Sequence, residues 1–214
     1  MQYNVISSKA AGRSTDALVV TVFEGEKPTA DLKEIDQLLN GLLAKVLQSG
    51  EFEAKPNKTL LLHTNNGRVL LAGGGKRQEQ DFDKAMQLAG TAVRALPGIC
   101  QSASFLFRGD LPPEHQGQAI AEAAEIALFR PDFYKGDRKD PKLQRIEILA
   151  AKGETAGIEQ GLKDGQVLAE AVNFARRLAD EPSNLMTPTM LADAANTVAD
   201  GAVKVEILER ADME

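Results

Sequence analysis

Apolar positions along this chain fall into two kinds of run, one continuous or alternating and one recurring every three to four residues. Val5-Ile6 reads as a short opening strand, and Ala17-Leu18-Val19-Val20-Thr21-Val22-Phe23 predicts a strand buried on both faces. Gly25 and Pro28 end that strand. Ile35, Leu38, Leu39, Leu42, Leu43, Val46 and Leu47 then share one face of a helix, closed by Gly50. Lys58–Thr64 and Arg68–Ala72 are two strands, and Asn65-Asn66-Gly67 between them is a tight-turn signal that predicts an antiparallel hairpin.

Beyond the loop Gly73-Gly74-Gly75-Lys76, helical spacing of Phe82, Ala85, Ala89, Ala92, Val93 and Leu96 ends at Pro97-Gly98. Ala103–Phe107 is a strand, Pro112-Pro113 opens a helix that stops before Pro131, and Arg145–Ala150 is a further strand. A long helix is predicted from about Thr155 to Ala179, with Gly157, Gly161 and Gly165 either letting its first half fray or letting another backbone approach. After Pro182, Thr187 is placed to cap a helix begun by Pro188 and reaching about Ala199, and Val203–Leu208 reads as a last strand. The order of elements predicts an α/β sandwich with a mixed sheet. Residues 1–152 form the sheet domain, 153–181 a linker helix, and 182–214 a tail with one helix and one strand. Such a tail cannot bury its own apolar faces, because a lone strand is not stable.

The formal charge of −6 disfavours a dedicated nucleic-acid binder. The basic stretch Lys135, Arg138, Lys139, Lys142 and Arg145 is interrupted by Asp137 and Asp140, and reads as a solvated loop with phosphate contact as the alternative. The single cysteine, Cys100, excludes an intrachain disulfide and points to a reducing compartment. Without a signal peptide or a span of roughly 20 apolar residues, the expectation is a soluble, cytoplasmic protein. Gly73–Gly75 follows a strand and precedes a helix, where backbone N–H groups can cradle phosphate. It matches neither the Walker pattern nor Gly-x-Gly-x-x-Gly, so a plain turn is the simpler reading. His63 is expected to cap or pack at its strand end, and His115 to be exposed. No zinc-ligand spacing, nucleophile elbow or paired acid–base carboxylates occur, and Asp180-Glu181 is expected to cap chain ends. No catalytic, cofactor-binding or metal-binding residue is therefore assigned.

The segment Asn173-Phe174-Ala175-Arg176-Arg177-Leu178-Ala179-Asp180-Glu181-Pro182-Ser183-Asn184-Leu185-Met186-Thr187-Pro188 resembles the junction between the two domains of the leucyl (cytosol) aminopeptidase family. Phe129-Arg130-Pro131-Asp132-Phe133-Tyr134-Lys135 echoes the same family. So do Asp16–Val20, Val22–Gly25 and Arg68–Gly73, more weakly. Asp180-Glu181-Pro182 stands where the family has Asn-Thr-Pro. Val205–Glu209 resembles the first strand of the catalytic domain.

The resemblance implies a non-catalytic N-terminal domain with a three-layer αβα sandwich around a mixed, mostly parallel sheet, macro-domain-like, followed by the linker helix. It implies a parent metallo-aminopeptidase that removes N-terminal residues from peptides with two divalent ions, zinc or manganese, and assembles as a homohexamer. The ligand-bearing segments Asn-Thr-Asp-Ala-Glu-Gly-Arg and Lys-x-Asp-Met-Gly-Gly are absent. This chain is thus expected to be inactive alone, to stop before its own catalytic domain, and to serve assembly and active-site access. The shared fold raises a second reading, a module for ADP-ribose or another phosphate ligand. Against it, Thr21-Val22-Phe23 replaces the asparagines that would orient a ribose. Nucleic-acid contact is the third.

Overall fold

The computed structural model describes residues 1–7, 15–27, 30–64, 67–131, 133–138, 140–199 and 202–213. Pro28, the Asn65-Asn66 pair of the expected turn, Asp132, Lys139 and Glu214 lie outside them. The six strands are β1 (Gln2–Ile6), β2 (Ala17–Val22), β3 (Thr59–Thr64), β4 (Gly67–Gly73), β5 (Ser102–Leu106) and β6 (Arg145–Leu149). They form one sheet in the order β1-β6-β5-β2-β4-β3. Every neighbouring pair is parallel except β3 and β4, which are antiparallel in the register Thr64↔Gly67. The hairpin read from the sequence is therefore present, at one edge of an otherwise parallel sheet.

Strand β2 lies between β4 and β5, and all six of its residues are buried. This is why its apolar run is unbroken: a central parallel strand has no solvent face. Its side chains still alternate. Val19 points with Leu70, Phe105, Ile146 and Ile148 into one core, whereas Val20 and Val22 point with Leu71 and Leu149 into the other.

Helices cover both faces. α1 (Ala30–Leu38) and α2 (Leu42–Ser49) place Leu32, Ile35, Leu43 and Val46 against the Val20 side. α3 (Phe82–Ala95), α4 (Pro113–Leu128) and the first half of α5 (Thr155–Asp180) place Leu88, Ile120, Ile158 and Leu162 against the Val19 side. Each such fully buried aliphatic side chain stabilises the fold by roughly 1.5–3 kcal/mol.

The sequence predicts one helix over Ile35–Leu47, but two are found. Asn40 (φ 51) and Gly41 (φ 80) adopt left-handed backbone between them, which ends α1 and lets α2 restart at a new angle. The shared apolar face survives the break because both helices lie on the same core. Gly50 (φ 74) closes α2 as expected, and Asp81 caps α3 by accepting from Lys84 N.

The two readings of the α5 glycines are resolved in favour of close approach. A Cβ on Gly161 would run into the carbonyl oxygen of Glu114 on α4, and one on Gly117 into that of Ile158 on α5. The two helices thus meet backbone to backbone, and only glycine leaves the space.

The chain divides into two compact units, Met1–Ala171 and Val172–Glu214. In the second, Leu185 and Met186 donate their backbone N–H groups to the Pro182 carbonyl at 2.9 Å each, forming the predicted break. Thr187 caps α6 (Pro188–Asn196) by accepting from Met190 N at 3.3 Å. The expected strand Val203–Leu208 is not formed: among the described residues this segment has no regular structure. A strand is defined by a ladder partner, and no described strand pairs with it.

Candidate functional site

A crevice of about 1210 Å³ opens beyond the carboxyl ends of β1, β2, β5 and β6, within the first unit. Parallel α/β sheets hold ligands at this end, where neighbouring strands send their chains to opposite faces. The connection after β2 supplies Glu26 to its wall, the 3-10 turn Arg77–Glu79 after β4 supplies Arg77, and the connection after β5 supplies Arg108. Asp31, Lys33 and Glu34 on α1, Gln116 on α4, and Lys152 and Glu154 before α5 also line it.

The charged groups at the base are committed to one another. Arg108 donates from Nη1 to Glu26 Oε2 at 2.8 Å and from Nη2 to Glu26 Oε1 at 2.7 Å. The same Nη1 also reaches the Thr21 carbonyl at 3.1 Å. Arg77 donates to Glu26 Oε1 at 3.2 Å and to Asp110 Oδ1 at 3.0 Å, and its guanidinium lies 4.4 Å over the Phe23 ring. The Phe23 N–H adds a further donor to Glu26 Oε2 at 3.2 Å. Burial alone would push the Glu26 carboxyl up. The Arg108 hydrogen bonds and charge, helped by Phe23 N–H and Arg77, outweigh it and hold the group below its ordinary range.

The glycine loop contributes no free cradle. Gly73 N donates to Lys58 O, Gly74 N to Val22 O and Gly75 N to Ala54 O, at 2.8–2.9 Å. A Cβ on Gly74 would strike the Phe23 ring at 2.6 Å, and Gly75 has φ +69. The three glycines let the chain turn tightly against neighbouring backbone, so the plain-turn reading holds.

At the opposite end of the sheet, the Asp16 carboxylate accepts from Gln101 N at 2.7 Å and from Ser102 N at 3.0 Å. The Gln101 bond leads the effects that hold Asp16 below the usual carboxylate range. Aspartate here anchors the start of β5.

The remaining singled-out residues do not converge. His63 is exposed on the edge strand β3, contrary to the expected packing, because its neighbour Leu62 takes the inward position. His115 is exposed and meets Phe82 edge-on at 5.7 Å. Cys100 is buried, which pushes its thiol up. In the basic stretch, Arg138 pairs with Asp140 at 2.6 Å and Arg145 with Glu147 at 3.6 Å, so the charge is partly neutralised locally. Among the described residues no three His, Cys, Asp or Glu side chains come together as a metal site, and no helix is long and apolar enough to cross a membrane. The residues present do not fit a two-metal centre. Sequence reasoning missed Glu26, Arg77 and Arg108: they are 31 to 82 positions apart, and only the parallel topology brings them together.

The fold is that of an α/β domain with a mostly parallel sheet, and the charged groups at the base of its strand-end crevice pair with one another. Residues 19–138 match the model of the cytosol aminopeptidase family N-terminal domain, and the chain belongs to that family. It is 31% identical over 221 residues to the cytosol aminopeptidase of Pseudomonas aeruginosa, covering 98% of this chain and 45% of that protein. It is 32% identical over 228 residues to the probable cytosol aminopeptidase of Nitrosococcus oceani, covering 100% of this chain and 46% of that protein. The chain thus spans less than half the length of these relatives.

In fold, it superposes on a tomato leucine aminopeptidase mutant with a TM-score of 0.79 at 20% identity, over 92% of this chain and 42% of that one. The bottromycin maturation enzyme BotP matches with a TM-score of 0.66 at 20% identity, over 86% of this chain and 37% of that one.

Proposed function

We propose that this chain is the non-catalytic N-terminal portion of a cytoplasmic two-metal aminopeptidase that removes N-terminal residues from peptides. Residues 1–152 form a macro-like support domain, 153–181 a linker helix, and 182–214 the start of the peptidase domain. The zinc or manganese ions and the residues that bind them belong to the rest of the parent protein. This portion supports assembly of a homohexamer and shapes access to its active sites.

The observation that carries the reading is the state of the second unit. None of its described residues is buried, and Leu185, Met190, Leu191, Val203, Leu208 and Met213 are 43–68% exposed. A segment with that much uncovered apolar surface requires another polypeptide surface to pack on. The family match over residues 19–138 and the greater length of the relatives supply one.

The test is hydrolysis of leucine p-nitroanilide with manganese or zinc. The chain alone should give no turnover above buffer, whereas its fusion to the remaining part of the Pseudomonas aeruginosa enzyme should turn over and lose activity on chelation. Chelator-sensitive turnover by the purified chain alone would overturn the reading. The ADP-ribose alternative gains no support: the glycine-loop N–H groups are spent internally, and the crevice-base arginines already hold a carboxylate.

A further inference from the structure

Helix α5 changes the character of its outward face midway. On its inner side Ile158, Leu162, Gly165 and Ala169 are buried, and Gly165 lies against Gln118 of α4. A different side looks outward. In the first half that side carries Gln160 and Asp164, joined by a hydrogen bond from Nε2 to Oδ1 at 2.9 Å. From the next turn it is apolar: Val167, Leu168, Ala171, Val172, Ala175 and Leu178 follow at the spacing of one helix face. Val167 is 66%, Leu168 44% and Val172 38% exposed, and Ala171 and Ala175 are exposed as well. The polar residues of this half, Gln166, Glu170 and Arg177, fall on another side. A helix sorted in this way is built to be covered along its apolar stripe.

Size decides what covers it. The stripe is roughly 18 Å long and about 10 Å wide, on the order of 200 Å². A stable complex of separate molecules buries roughly 800 Å² on each partner, so this stripe alone does not hold a second copy. A segment joined to the same chain meets no such threshold, because the tether sets its effective concentration and most of the cost of association falls away. The relatives show where such a segment lies, since this chain spans only 45% of the Pseudomonas aeruginosa protein. The stripe also runs on into residues none of which, among those described, is buried.

We propose that the second half of α5, from about Gln166 to Asp180, is a docking surface and not a spacer, and that its occupant is the peptidase part of the parent protein, seated through aliphatic side chains. The peptidase domain then begins to pack within α5, ahead of Pro182. The identity of the occupant rests on the peptidase reading above.

The test is maleimide labelling of Leu168→Cys, with Glu170→Cys on the polar side as control. Labelling is mapped by peptide mass in the chain alone and in its fusion to the remaining part of the Pseudomonas aeruginosa enzyme. In the chain alone both new thiols should react at similar rates at every protein concentration, and faster than Cys100, which is buried. In the fusion Leu168→Cys should slow by about tenfold or more, while Glu170→Cys keeps its rate. Leu168→Glu should leave the thermal midpoint of the chain alone within about 1 °C and lower that of the fusion. Equal labelling of the two sites in an active fusion would overturn the inference and leave the peptidase reading standing. Protection of Leu168→Cys in a fusion that hydrolyses nothing would do the reverse. Labelling of the chain alone that slows as its concentration rises would assign the stripe to a second copy and overturn the inference. Should that fusion not be soluble, the corresponding fusion to the Nitrosococcus oceani protein gives the same decision.

Discussion

Glu26 and Arg108 are nearly withdrawn from water, with side chains 9% and 5% exposed. A charge so placed depends on its partner, since removing one member leaves the other buried and uncompensated. Arg108→Ala should therefore destabilise the first unit by about 3–5 kcal/mol in urea unfolding, whereas loss of an exposed pair such as Lys55–Glu53 should leave the unfolding midpoint essentially where it was. The pH dependence follows from the depressed Glu26 carboxyl. An unfolded glutamate titrates near about 4.3. The stabilisation by ionised Glu26 is thus intact above that value and is lost as pH falls through the lower folded-state value. Urea unfolding should show the unaltered chain more stable than Glu26→Gln by a constant margin from neutral pH to about pH 5, and a margin that shrinks below about pH 4. A margin unchanged at strongly acid pH would mean that the Glu26 carboxyl binds its proton equally in the folded and unfolded chain, so that Arg108 does not hold it down. None of this cluster was legible in the sequence. Glu26 and Arg108 carry no spacing motif, and what joins them is the placement of β2 beside β5.

At the scale of elements, the backbone contact between α4 and α5 sets two effects against each other. Alanine at Gly161 would raise helix propensity by about 1 kcal/mol, yet its Cβ would collide with the Glu114 carbonyl. Neither partner is a flexible side-chain tip, so the helices must separate, and overpacking of this kind costs about 1–3 kcal/mol or more. Gly161→Ala should lower stability by a net ~2 kcal/mol in urea unfolding. Gly98→Ala, with nothing within 4 Å of the added methyl, should be neutral within about 0.5 kcal/mol. A neutral Gly161→Ala would mean that the helices do not meet there.

Periodicity made the strands and most helices readable, because a central strand such as Ala17–Val22 must be apolar throughout and a covering helix must be apolar on one side. Two elements escaped it. The break at Asn40-Gly41 leaves the apolar stripe intact across α1 and α2, so spacing alone could not reveal it. The run Val203–Leu208 has strand chemistry, but pattern cannot supply a ladder partner.

For the whole molecule, the contrast between the two units has a consequence for stability. The first unit has two cores, one on each side of a six-stranded sheet. The second has α6 with no buried residue, and none of its other described residues is buried. Folding free energy comes mainly from apolar burial offset against ordering the chain, so the second unit contributes little of it. Ending the chain after Asp180 should leave the thermal midpoint within about 2 °C of the original. Residues 182–199 and 202–213 should exchange their amide protons rapidly, apart from those of α6 that hold local helix bonds. In the fusion to the remaining part of the Pseudomonas aeruginosa enzyme, Val203–Leu208 should become slow to exchange as it gains a ladder partner. A large loss of midpoint on truncation would place part of the first unit's stability in the tail. Unchanged fast exchange of Val203–Leu208 in an active fusion would show that the segment is a tether and not a strand of the peptidase domain.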